Sequence, residues 1–323
     1  MGKRNDFHLA FLTWNIYIGA DLSPLIAGPS PQRVTEVFRQ FLATNFPVRA
    51  KAIASEIVSK KPDLIGLQEA ARWVLEIPEF GIVIFDFVKI LLDELKERGL
   101  RYEVAAENEN LSAQAPDSNG NTISFLDRDV ILIRKKNRLK VIDKQEARFV
   151  NNLIIGPFVI FRGWSAIDVK LDGHVFRMIN THLEPLNESI RNAQAMEILN
   201  EPADTNLPLI ITGDINAIPG SSTYNLFVNA GFQDVWNEVG EGPGFTAVQA
   251  ADLLNNVSEL SERIDYIFFK NGWKPIEADL VGEEQSDRTA TGLWPSDHAG
   301  VSTRLKLKGH HDHQHEESID ESC

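Results

Sequence analysis

The feature that most constrains the fold is a recurrence of short apolar runs, each closed by a polar residue where a strand would end. "FLTW" gives way to Asn15, "LIGLQ" to Glu69, "MINT" to His182 and "LIIT" to the "GDIN" of residues 213–216. Asp265 stands inside "RIDYIFF", and Asp297 and His298 lie just before the last apolar run. Short apolar runs bounded by turn residues read as buried strands. Taken singly, an Asp or Asn in such a place is ordinarily a turn residue. The recurrence along the whole chain is what asks for another explanation.

Between these runs, "PVRAKAIASEIVSKK" carries Val48, Ile53, Ile57 and Val58 close to helical spacing and is stopped by Pro62. "FDFVKILLDELKERG", "ESIRNAQAMEILN" and "STYNLFVNAG" are further expected helices, the first closed by Gly99. "GWSAIDVKLDGHVFRMINTHL" is a hairpin with "DG" at its turn. Many strands, hairpin pairs and few helices predict mixed sheets packed face to face with helices outside. Segments 19–46 and 106–126 are turn-rich and lie between strands, and either is a candidate to overhang a site. Within the first, "RVTEVFRQFLATNF" is an amphipathic helix that either packs on the sandwich, the favoured reading, or touches a membrane.

Composition excludes several classes. No run of 18 apolar residues is present, and the longest, "FGIVIFDFVKILL", is broken by Asp86 and Lys89 and reads as a buried or amphipathic element, so no membrane-spanning helix is expected. The start of the sequence has no secretory pattern, and the single Cys323 forms no internal disulfide, which leaves the cytoplasm as the default compartment. The formal charge is −14 and no basic stripe is visible, unlike a domain that tracks a duplex by its phosphates. The last residues, "GHHDHQHEESIDESC", read as a disordered tail, solubilising rather than metal-handling. The expected division is a single domain over 1–308 and the tail over 309–323.

Glu, Asp and Asn oxygens suit a hard divalent cation such as Mg²⁺ or Mn²⁺. A His beside an Asp suits proton transfer or charge stabilisation. Together they suggest attack of water on a phosphoester. The ordered set "TWNI", "LQE", "NTHL", "GDIN", "RIDYIF" and "SDHAGV" resembles the motifs of the endonuclease/exonuclease/phosphatase superfamily over roughly residues 8–307. That superfamily holds nucleases of the deoxyribonuclease I and exonuclease III kinds and neutral sphingomyelinases. The resemblance implies a four-layer α/β/β/α sandwich and a Mg²⁺-dependent phosphoesterase, with Mn²⁺ as the alternative ion. It implies metal-site roles for Asn15, Glu69 and Asp297, with Glu69 the principal ligand. It implies catalytic roles for His182, Asp214, Asn216, Asp265 and His298, with Asp265 orienting His298.

Arg162 lies where several members place a phosphate-binding Arg, and an ion pair is its other use. Asp129 departs from the family, standing where nuclease members often have a Tyr; the adjacent Arg128 reads as a surface charge. Trp14, Trp164, Asp234 and Trp236 are expected to be structural. The substrate stays open between nucleic acid, a lipid headgroup and a small molecule. A non-catalytic binding protein of this fold is a further alternative, which the intact motif set disfavours.

Overall fold

A computed structural model of the chain describes residues 7–308, apart from Asn137 and Pro157; the expected tail lies outside the described residues. In chain order the first half contains β1 (Phe7–Asn15), α1 (Ser23–Ile26), α2 (Pro31–Ala43), α3 (Phe46–Lys60), β2 (Leu64–Gln68), β3 (Arg72–Ile77), β4 (Gly81–Asp86), α4 (Phe87–Glu97), β5 (Tyr102–Pro116), β6 (Thr122–Arg134) and β7 (Leu139–Arg148). The second half contains β8 (Leu153–Ile155), β9 (Phe158–Ile160), β10 (Gly163–Leu171), β11 (His174–His182), α5 (Glu188–Asn200), β12 (Leu209–Asp214), α6 (Ser222–Asn229), β13 (Gln233–Asp234), α7 (Val235–Val239), β14 (Asp265–Lys270), β15 (Trp273–Val281) and β16 (Gly300–Leu307).

The first sheet runs β15-β16-β1-β2-β6-β3-β4, with β5 also paired to β6; the second runs β13-β14-β12-β11-β10-β7. Side chains alternate across each strand. Phe11, Ile131 and Ile133 therefore point into the space between the sheets, where they meet Ile167, Phe176, Met178 and Ile210. Leu12, Trp14, Val130 and Leu132 point the other way, under α2, α3 and α4. Ile179, Ile211 and Phe268 leave the second sheet on its outer side, under α5 and α6. The result is the expected four-layer α/β/β/α sandwich. Strands buried on both faces explain why the runs are continuously apolar rather than alternating.

Beneath the site the two sheets approach closely. Gln68 Nε2 donates to Asn180 Oδ1 (2.8 Å), Thr212 Oγ1 donates to the same oxygen (3.0 Å), and Asn180 Nδ2 returns to the carbonyls of Leu67 and Val130 (3.0 and 3.2 Å). Only a glycine fits opposite them, because a Cβ on Gly66 would meet Thr212 Oγ1 at 2.2 Å and Asn180 Oδ1 at 2.4 Å.

Three expectations are corrected. Segment 106–126 is not a turn-rich overhang: most of it belongs to β5 and β6, which pair in register from Tyr102–Arg134 to Pro116–Thr122 with two bulges. "FGIVIFDFVKILL" is not one buried or amphipathic element. Its first half is β4, an exposed edge strand, and Asp86 then caps α4 by accepting from Lys89 N. Arg128 is not a surface charge, being 8% exposed, with Nε donating to the Ala70 carbonyl and Nη2 to Asp86 (2.7 Å). Helix α2 packs on the sandwich as favoured: Val34, Val37, Phe38 and Phe41 are buried, and Phe41 stacks on Trp73 at 4.5 Å. Trp14 and Trp164 are core residues. Asp234 caps α7 and pairs with Arg263. Among the described residues no helix is long and apolar enough to cross a membrane.

Candidate active site

Strand direction gathers the polar residues at one end of the sandwich. β1 and β2 are parallel, as are β11 and β12, so Asn15, Glu69, His182 and Asp214 all emerge where these strands finish. β14 is antiparallel to β12 and pairs Asp265 with Asp214, so its first residue joins the same group. β16 is antiparallel to β1 and starts at this end, placing Asp297 and His298 just ahead of it.

The group converges on one carboxylate oxygen. Asn15 Nδ2 donates to Asp214 Oδ2 (3.1 Å), His182 Nε2 lies 3.4 Å from that oxygen and His298 Nε2 lies 3.8 Å from it. Asn15 Nδ2 also reaches Glu69 Oε1 (3.1 Å), and the other Glu69 oxygen accepts from the Ile18 amide (2.6 Å). Asp214 Oδ1 accepts from the Asn216 amide (3.0 Å), which closes the turn of "GDIN", and the Asn216 side chain donates to the Leu183 carbonyl (2.9 Å). Glu69 and Asn216 both sit in the left-handed backbone region, at φ 55° and 53°. Such strain in non-glycine residues persists where the surroundings over-determine it, and it clusters at functional sites.

Each imidazole has a fixed partner. His298 Nδ1 is 2.8 Å from Asp265 Oδ2. Burial alone would push His298 down, but Asp265, Asp297 and Asp214 override it and hold the ring well above its ordinary value, in its charged form. His182 Nδ1 is 2.8 Å from Arg162 Nη1, a donor, so Nδ1 accepts and the proton sits on Nε2. Burial, Arg162 and His298 together push His182 well below its ordinary value, so it is neutral. Asp214 and Asp297 are both raised, by burial first and then by neighbouring carboxylates, Asp265 for the one and Glu69 for the other. Arg162 also lies 3.7 Å from Asp127.

The sequence model of the Endonuclease/Exonuclease/phosphatase family matches residues 12–298, most of the chain. The chain belongs to that family. Mouse tyrosyl-DNA phosphodiesterase 2 is 24% identical over 279 residues, covering 81% of this chain and 62% of that protein. Human nocturnin is 24% identical over 281 residues, covering 80% and 58% respectively. The chain thus spans about three fifths of the curated relatives it matches. A mannosyl-6-phosphatase from Bacteroides thetaiotaomicron shares the fold with a TM-score of 0.59 at 18% identity, covering 92% of this chain and 99% of that one. A family member from Bacteroides vulgatus gives a TM-score of 0.61 at 17% identity, covering 94% and 100%.

Members of the endonuclease/exonuclease/phosphatase family generally use divalent metal ions. The residues here fit such an ion. Asp214 and Asp265 present carboxylate oxygens within 4.8 Å of one another, and Asp265 Oδ1 is buried without a hydrogen-bond partner. Glu69 and Asp297 add oxygen donors that face an open cleft. Carboxylates buried together are the setting in which a bound cation offsets repulsion, and their oxygens suit a hard one.

Two further carboxylates at the cleft escaped the motif reading. Glu184, fully buried directly after "THL", holds the Leu186 amide through Oε1 and leaves Oε2 unpartnered at the cleft. Asp127 likewise faces the cleft with a buried, unpartnered Oδ1. Asp129, the departure from the family, is tied to Asn108 and Asn110 (3.1 and 2.8 Å). The "THLE" and "LDRD" stretches were the available signals.

Proposed function

We propose that this protein is a Mg²⁺-dependent phosphoesterase acting on a phosphodiester by attack of water at phosphorus, with Mn²⁺ as an alternative ion. The observation that supports it best is the convergence of Asn15, His182 and His298 on Asp214 Oδ2 beside Glu69. Phosphoryl transfer needs positioning and charge neutralisation more than covalent help. Glu69 and Asp297 would hold the ion, with Asn15 fixing Glu69; when bound, it would polarise a phosphoryl oxygen and stabilise the leaving oxygen.

Asp214 is the base in this reading, since burial and Asp265 raise it toward a value suited to taking the proton of water. Charged His298, fixed by Asp265, donates to a phosphoryl oxygen, and neutral His182 donates through Nε2. Arg162, held against His182, supplies a guanidinium to the phosphate. Asn216 holds the turn that aims Asp214. The names of the relatives, a tyrosyl-DNA phosphodiesterase and a mannosyl-6-phosphatase, differ in substrate but share a phosphoester. A panel of nucleic acids, phospholipids and small phosphoesters, assayed with Mg²⁺ and with EDTA, tests the reading. Metal-dependent release from at least one class is expected, and none from folded protein overturns it.

A further inference from the structure

The cleft over Glu69 and Asp297 holds about 570 Å³, within the range of small-molecule sites. Its lining joins charged residues, Glu69, Asp127, Arg162, Glu184 and Asp297 among them, to apolar walls that include Leu22, Ile26, Leu111, Phe125 and Ile160. Those five apolar residues also line a second cavity of about 330 Å³, which adds Leu25, Pro29, Val34 and Phe158 and contains no charged residue. The two cavities share these walls and so adjoin one another beside α1, β5, β6 and β9. At the rim of the cleft Leu186 and Val248 stay 71% and 50% exposed.

Charge separates the possible occupants. Among the described residues that line the cleft, Asp21, Glu69, Asp127, Glu184 and Asp297 face a single cation, Arg162. A polynucleotide strand repeats its negative charge and needs cations along its path, with aromatic faces for its bases. The two cavities offer one cation at the phosphate and mainly aliphatic walls beyond it, with Phe125 and Phe158 the aromatic ones. We propose that the two cavities form one channel that binds an aliphatic chain carried by the substrate, so that the substrate class is an amphiphilic phosphoester. The proposal rests on the phosphoesterase reading above. Burial of each methylene along the walls then adds binding energy from a part of the substrate remote from the reacting centre.

The test is a series of p-nitrophenyl alkyl phosphates from methyl to octyl, below micelle formation, given to the full chain with Mg²⁺. We expect kcat/KM to rise about threefold per methylene over several carbons. Leu25→Glu and Phe158→Glu, which line the second cavity but not the cleft, should flatten that rise while methyl ester turnover stays within about twofold, which also reports an intact fold. Equal turnover of methyl and octyl esters, or faster cleavage of oligonucleotides than of the octyl ester, overturns the channel proposal and leaves the phosphoesterase reading standing. Failure to hydrolyse any member or any oligonucleotide overturns the phosphoesterase reading. Calorimetric binding of octyl against methyl phosphonate then decides the channel by itself: tighter octyl binding, lost in Leu25→Glu, supports it, and equal binding overturns it.

Discussion

His298 Nδ1 lies 2.8 Å from Asp265 Oδ2, across a gap of 33 residues and between the two sheets of the sandwich. Asp265 opens β14 of the second sheet, whereas His298 leads into β16 of the first. Asp265→Asn keeps the shape of the pair and removes its charge. Turnover is expected to fall about 10²–10⁴-fold, the usual weight of a lost acid–base or charge-stabilising group, with the melting profile little changed. Steady-state rates together with thermal unfolding of the variant check this.

The contact between Gly66 and Asn180 sets how closely the sheets pack under the site. Gly66→Ala pushes a methyl against Asn180 Oδ1 and Thr212 Oγ1, in a place where neither side chain has room to yield. The expected cost is about 1–3 kcal/mol, as for other overpacked cores. Urea unfolding measures it, and a midpoint equal to that of the parent protein would contradict the packing argument.

Arg49 is fully buried in α3 and donates to the carbonyls of Thr44, Ile16, Pro295 and Tyr17 at 2.8–3.1 Å. Burial lowers it to about 10, yet it stays charged at neutral pH. Its carbonyl partners flank the Ile18 amide that holds Glu69 and the turn that carries Asp297. Arg49→Met leaves these carbonyls without a donor, so stability should drop by about 3 kcal/mol or more. Activity at temperatures where the variant is folded should drop as well, because the Glu69 grip loosens.

Glu56 is pushed up to about 7, by burial first and then by Asp287 and Glu283, with Lys60 opposing. A raised folded-state value favours the protonated carboxyl in the fold. Its contribution is therefore full below the ordinary carboxylate value and is lost as pH rises through about 7. Chemical unfolding midpoints between pH 5 and 8 should fall in the parent protein and fall less in Glu56→Gln. Parallel pH profiles would show that Glu56 has no such role.

The strand-end residues were legible because of burial on both faces. A strand such as β12 has no exposed side for polar groups, so Asp214 stands out at its finish. Asn15, Glu69, His182 and His298 stand out for the same reason. Arg49 and Arg128 were not legible. A buried guanidinium is defined by carbonyls and carboxylates that approach from far along the chain, and nothing adjacent in sequence marks them. The second part of β5 was hidden because "ENENLSAQAP" has little strand character of its own. Its pairing with β6 imposes the extended form. β4 misled in the opposite sense: "GIVIFD" looks like core, yet lies on a solvent-facing edge.

The central claim is that Glu69 anchors a metal-dependent phosphoesterase site. The most direct measurement is hydrolysis of bis(p-nitrophenyl) phosphate by the full chain and by Glu69→Ala, each with Mg²⁺, after EDTA, and after Mg²⁺ is restored. The account predicts turnover that EDTA abolishes and Mg²⁺ restores in the parent protein, and a folded variant slower by about 10³-fold or more. Turnover that persists in EDTA, or near-parental turnover by Glu69→Ala, would contradict it.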